Sequence, residues 1–211
     1  MADVESFEFL ETASDAVLSL TGHERPSVVA HDAHPSFRTT AHATDLVDRG
    51  DADRAVAVGH HHAHAASVLL EHDRSRAVCI TADGVGYGPD GTVWGGEVLD
   101  ATLAEAERVA SLAPAPMPGG DRATRLPVRL LAGLLADRDG VDVQSVVDDG
   151  APGADELAVV DRQLDAGVNT TTTTSAGRFL DAVAALAGVC HERTYEGEPA
   201  LRLEAAAAEG T

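Results

Sequence analysis

A chain of 211 residues with 44% hydrophobic but only 3% aromatic side chains suits one large domain or two small lobes, with a core built mainly from Ala, Val and Leu. With 35 acidic residues against 15 basic ones the net charge is −20, which argues against a general nucleic-acid or anionic-membrane surface, since both need cationic patches. No apolar run approaches the roughly 18–20 residues of a membrane span, and no basic stretch at the N-terminus leads into an apolar one, so neither a membrane anchor nor a signal peptide is expected.

Every basic residue is Arg, and Asp outnumbers Glu. A Lys-free acidic surface suits solubility at high salt, and a GC-rich genome that writes Arg for Lys accounts for it equally well. Cys79 and Cys190 lie in apolar stretches without Cys-x-x-Cys spacing. They read as buried free thiols, which fits a reducing cytoplasm.

Apolar residues at helical spacing predict a helix over residues 4–20. The run S-V-V-A at 27–30 reads as a strand leading into H-D-A-H-P, and 39–49 reads as a helix. A strand at 55–59 passes directly into a helical pattern over 61–72. The next strand, 76–82, ends at Asp83-Gly84, and 92–99 looks like the return strand of a hairpin. Residues 114–120, P-A-P-M-P-G-G, read as a rigid loop followed by one helix over about 121–137. A surface connection is expected over 138–154, helices over 155–166 and 175–188, a polar loop at the T-T-T-T-T run of 170–174, and a last helix in E-P-A-L-R-L-E-A-A-A-A-E. The alternation argues for an α/β protein with a mixed sheet. We expect a first α/β lobe over 1–120 and a mostly helical part over 121–211.

Three constellations can carry chemistry. In G-H-H-H-A-H at 59–64, His60 and His64 are four residues apart and project from one helix face, close enough to share a metal ion. The bland alternative is a solvated helix N-terminus with capping histidines. In A-D-G-V-G-Y-G-P-D-G at 82–91, Asp83 ends a strand where an acid can hold a metal or a metal-bridged phosphate. Gly84 and Gly86 let backbone amides approach phosphate, although D-G at 90–91 reads equally as a hairpin turn. In S-A-G-R-F-L-D at 175–181, Gly177 admits a close ligand, Arg178 offers a fork for phosphate or carboxylate, and Asp181 can accept from ribose hydroxyls. An ordinary amphipathic helix with a surface Arg–Asp pair explains the same residues.

Taken in order, the strings H-D-A-H-P-S-F, G-H-H-H-A-H-A-A-S-V-L-L-E-H, D-G-V-G-Y-G-P-D-G-T-V-W-G-G-E, P-M-P-G-G-D-R-A, T-S-A-G-R-F-L-D-A-V-A-A-L-A-G and Y-E-G-E-P-A-L-R-L-E resemble the C-terminal carbamoyltransferase region of the HypF hydrogenase-maturation family. The resemblance covers most of the chain. It implies an actin-like, hexokinase-like (ribonuclease H-like) fold around a nucleotide cleft. It implies transfer of a carbamoyl group, derived from carbamoyl phosphate and ATP as carbamoyl adenylate, to the C-terminal cysteine of HypE. By the same likeness His60, His64 and Asp83 are ligands of a divalent metal, iron or zinc, while Gly84, Gly86, Gly177, Arg178 and Asp181 face the nucleotide.

The resemblance also implies departures. The family's upstream modules have no counterpart here. The sequence starts after the first strand of the transferase region and reaches Thr211 before an expected Gly-Gly phosphate contact and a late Asp ligand. A complementing chain is therefore expected as a partner beside HypE. The readings to be weighed are a carbamoyltransferase segment, a non-catalytic metal- or nucleotide-binding remnant, and an O-carbamoyltransferase of the same superfamily.

Overall fold

The computed structural model describes residues 4–23, 25–136, 143–147, 151–208 and 210. They form two compact units, residues 1–59 and 60–211. None of the described helices is long and apolar enough to cross a membrane.

The first unit begins with helix α1 (Val4–Thr21) and continues as a strand–helix–strand turn: β1 (Val28–Asp32), α2 (Arg38–Asp48) and β2 (Arg54–Val58). The two strands pair in parallel, Val28 opposite Arg54 and Asp32 opposite Val58. Parallel pairing requires the crossover that α2 supplies. After β1, the Asp32 carboxylate accepts the His34 amide at 2.7 Å, and Thr40 Oγ1 donates to the His34 carbonyl at 2.9 Å. H-D-A-H-P is thus a side-chain-closed turn. Phe7 meets the edge of His42 at 5.2 Å, which joins α1 to α2.

The second unit opens with helix α3 (His60–Glu71), followed by β3 (Arg76–Tyr87), β4 (Val93–Thr102) and β5 (Ala106–Ser111), all antiparallel neighbours. Strand β6 (Ala115–Pro118) pairs antiparallel with β7 (Thr170–Thr173), and β7 joins β4 in parallel through Val93 and Thr173. The sheet order is β3-β4-β7-β6, with β5 also on β4. A mixed sheet with flanking helices is what the alternating pattern predicts.

Helices α4 (Asp121–Arg125), α5 (Pro127–Leu135), α6 (Val143–Val146), α7 (Leu157–Ala166), α8 (Ala176–Leu186) and α9 (Glu198–Ala208) complete the unit. Residues Pro127 to Gly133 of α5 are all buried. They form the centre of a core with Met117, Val147, Leu157, Val160, Ala182 and Ala185. A second cluster, Ala65, Leu69, Trp94, Leu99 and Ala101, packs α3 on the sheet.

Several elements differ from the sequence reading. The single helix expected over 121–137 is broken between α4 and α5. Pro127 cannot donate an amide and forces Leu126 out of helical geometry, to φ −115° and ψ 88°. The same proline is well placed at the first position of α5. The rigid loop at 114–120 contains β6, whose Pro116 and Pro118 are tolerated because β6 ends the sheet. The threonine run is strand β7, as its β-branched side chains favour. Strand β5 carries six exposed residues and so gave no alternation to read. Of the connection expected at 138–154, residues 138–142 and 148–150 lie outside the described residues, as does residue 137 at the end of the expected helix.

A buried ion network locks α5 to the start of α7. Arg129, 3% exposed, donates to the Pro118 carbonyl at 3.0 Å and pairs with Glu156 and Gln163. Arg122 also donates to Glu156, and it is the main cause that holds the Glu156 carboxyl below its ordinary range, with Arg129 assisting against burial. A carboxyl depressed by folding stabilises above its unfolded pKa, and that contribution is lost as pH falls through the folded value. The stability deficit of Glu156→Gln, read as urea midpoints, is therefore expected to be full above roughly pH 4.3 and to shrink below it. A deficit independent of pH would contradict this.

Candidate metal centre

The site grows from an irregularity in β3. Ala82 pairs with Gly96 and Gly86 with Trp94, so the three residues Asp83 to Val85 stand opposite Gly95 alone. Such a bulge re-aims side chains. The sequence reading ended the strand at Asp83; it runs on to Tyr87. The turn beyond is the hairpin that D-G suggested, with Gly91 at φ +78° and its amide on the Gly88 carbonyl at 2.9 Å.

Two packing devices fix the bulge. Ser175, the N-cap of α8, places its hydroxyl 2.7 Å from the carbonyls of both Asp83 and Gly84, while it accepts the Arg178 amide at 3.1 Å. Gly177 lies so close that a Cβ there would come 2.8 Å from Gly84 Cα. Behind them Glu97, completely buried, accepts the amides of Gly95 at 2.6 Å and Gly96 at 2.8 Å and the Thr174 hydroxyl. The string W-G-G-E thereby ties β4 to the start of α8.

At the N-terminus of α3 the four histidines take different directions. His60 Nε2 lies 3.2 Å from Asp83 Oδ2 and 3.2 Å from His64 Nε2. One ligand atom from each of His60, His64 and Asp83 falls within 4.8 Å of the others. Donors held about 2.1 Å from one first-row cation stand roughly 3.0–3.4 Å apart in octahedral or tetrahedral geometry, and the two 3.2 Å separations about His60 match that spacing. Two imidazoles and a carboxylate are a donor set for iron or zinc. His62 turns away, with Nε2 2.9 Å from the Thr102 carbonyl. His61 is buried, and burial is the main cause that lowers its pKa.

The residues expected to face a nucleotide are placed as follows. Gly84 and Gly177 meet each other, and Gly84 lies under Arg178, whose guanidinium would be 3.5 Å from an added Cβ. Gly86 faces the rings of His61 and His60. Arg178 and Asp181 form a buried pair at 3.0 Å, with 6% and 3% of their side chains exposed, not the surface pair of an ordinary amphipathic helix. Burial lowers the Arg178 pKa and raises that of Asp181, each opposed by the partner's charge. Ser175, Glu97 and His61 were not singled out from the sequence. The usable signals were a carboxylate directly after Gly-Gly and a capping Ser two residues before Gly177.

Comparison with known proteins identifies the family. The family model described as "HypF Kae1-like domain" matches residues 1–71, and "Carbamoyltransferase, Kae1-like Domain, second subdomain" matches residues 79–211. The chain is 44% identical over 203 residues to the carbamoyltransferase HypF of Rhodobacter capsulatus, covering 93% of this chain and 26% of that protein. It is 39% identical over 202 residues to the probable carbamoyltransferase HypF of Methanocaldococcus jannaschii, covering 95% and 26%. Against the HypF homolog of Cupriavidus necator the identity is 38% over 213 residues, covering 99% and 53%. The crystal structure of T. kodakarensis HypF superposes with a TM-score of 0.90 at 37% identity, covering all of this chain and 29% of that one. Full-length HypF in its phosphate- and nucleotide-bound form gives 0.86 at 36% identity, with 96% and 31% covered. The chain thus spans about a quarter of the length of the first two relatives. With both family models covering nearly all of its residues, the chain belongs to the HypF carbamoyltransferase family and corresponds to its Kae1-like C-terminal region.

Proposed function

We propose that this chain is the transferase segment of a carbamoyltransferase. It takes a carbamoyl group from carbamoyl adenylate and passes it to a cysteine thiol, that of the HypE C-terminus in [NiFe] hydrogenase maturation. The observation that carries the reading is the approach of His60, His64 and Asp83 ligand atoms to within 4.8 Å of one another at the β3 bulge. A divalent iron or zinc ion held there would supply Lewis acidity for the carbamoyl oxygen.

The chain's own residues do the rest. The bulge at Asp83 to Val85 and the Ser175 cap hold the acidic ligand and the start of α8 in a fixed relation. Fixed groups need no reorganisation as charge builds on the leaving AMP. The acceptor sulfur bonds to the carbamoyl carbon, the C–O bond to the adenylate phosphate breaks, and AMP leaves with the electron pair. The thiol proton passes to solvent.

The test supplies the remaining family segments on a second chain, with carbamoyl phosphate, ATP and HypE, and follows the thiocarboxamide on HypE by mass spectrometry. Transfer that is lost in His60→Ala supports the reading. Metal-loaded protein that gives no thiocarboxamide points to a binding remnant, and transfer to a small hydroxyl acceptor in place of the thiol points to an O-carbamoyltransferase. Either result contradicts the proposal.

A further inference from the structure

His61 is 2% exposed, yet neither of its ring nitrogens has a hydrogen-bond partner. Its Nε2 stands 3.4 Å from Asp83 Oδ2, and that oxygen, also buried, has no hydrogen-bond partner either. Asp83 Oδ2 also stands 3.2 Å from His60 Nε2, and a buried imidazole without a hydrogen bond costs free energy that an apolar side chain at 61 would avoid. The surroundings are nevertheless shaped to hold this ring. A Cβ on Gly86 would come 2.3 Å from His61 Cε1 and 2.9 Å from Nε2, so only glycine leaves the slot open. Trp94 lies beside the ring at 28° and 6.1 Å. The indole is itself fixed, its Nε1 donating to Asp90 at 3.0 Å and Arg108 stacking 4.4 Å above it.

Carboxylates that bind metals are generally oriented by an outer hydrogen bond. We propose that His61 is the positioning residue of this centre: its Nε2–H donates to Asp83 Oδ2 and sets that carboxylate toward the ion shared with His60 and His64. Gly86 then serves the ring of His61. This inference rests on the metal reading above and adds a role to a histidine that is not among the three converging donors.

The test loads the full chain with Co2+ and reads two quantities: affinity, by chelator competition, and the visible absorption of the bound ion. His61→Phe keeps an aromatic ring but no donor, and is expected to weaken Co2+ binding about 10–100-fold, as loss of an outer partner does. It should also shift the absorption band while the number of coordinated nitrogens is unchanged. His61→Gln restores a donor and should recover most of the affinity. If His61→Phe does not fold, His61→Leu against His61→Gln makes the same comparison.

Unaltered affinity in His61→Phe, with loss in His64→Ala, overturns the role of His61 alone. So does a coordinated nitrogen missing from His61→Phe, because His61 would then be a ligand. Failure of the unsubstituted chain to hold Co2+ contradicts the metal reading, and this inference with it.

Discussion

His64→Ala is expected to lower divalent-metal affinity by more than the roughly 10–100-fold that loss of an outer partner costs. His64 is exposed, and its ring lies against those of His60 and His61 on the helix surface. Removing it therefore takes away a ligand without opening a core, and the unfolding free energy should move by no more than about 0.5 kcal/mol, as for other surface substitutions. Metal content after dialysis against a weak chelator and a urea melt on the same sample separate the two effects. A variant that unfolds early and still holds its metal would mean the imidazole is structural. Asp83→Asn should share the metal phenotype, since a neutral amide is a poor ligand for a hard or borderline cation.

The second large effect is on stability. Glu97→Ala should cost more than about 3 kcal/mol, because a hydrogen bond to a charged acceptor contributes roughly 1.5–3 kcal/mol and three donors, two of them buried, lose theirs together. Those donors are the amides of Gly95 and Gly96 and the hydroxyl of Thr174, all around a carboxylate with no exposed surface. Glu97 does not touch the converging ligands. It ties the strand opposite the bulge to the segment that carries Ser175, so metal affinity should weaken along with the fold. A urea midpoint lowered at constant slope is the expected reading. A midpoint equal to that of the parent would show that backbone packing alone holds β4 against α8.

What the sequence made legible follows from where its signals are local. The periodicities of α1, α2, α3 and α8 and the apolar runs of β3 and β4 reappear as elements within a few residues of their expected limits. The His60–His64 spacing is likewise a local signal, read directly from the helix repeat. Strands β6 and β7 were hidden for opposite reasons. Prolines in A-P-M-P argue against a strand until the strand is known to lie at a sheet end, and five threonines in a row look like filler until their β-branching is weighed.

The rest of the site is non-local. Nothing in the spacing of Asp83 and Ser175 reveals that 92 residues of chain separate two groups 2.7 Å apart. Nor does a run of histidines say which ring is buried. His61 and His62 differ from His60 only in the direction the helix gives them, one into the slot left by Gly86 and one onto the Thr102 carbonyl. Arg178 and Asp181 read as a surface pair because three-residue spacing carries no information on burial; the packing of α8 against β3 supplies it.

The most direct test of the central claim is an anomalous-difference map from crystals of the chain grown with zinc or iron. One peak within about 2.0–2.2 Å of His60 Nε2, His64 Nε2 and an Asp83 oxygen is the result this account predicts. A peak elsewhere, on the H-D-A-H-P turn for instance, with these three side chains unliganded, would contradict it.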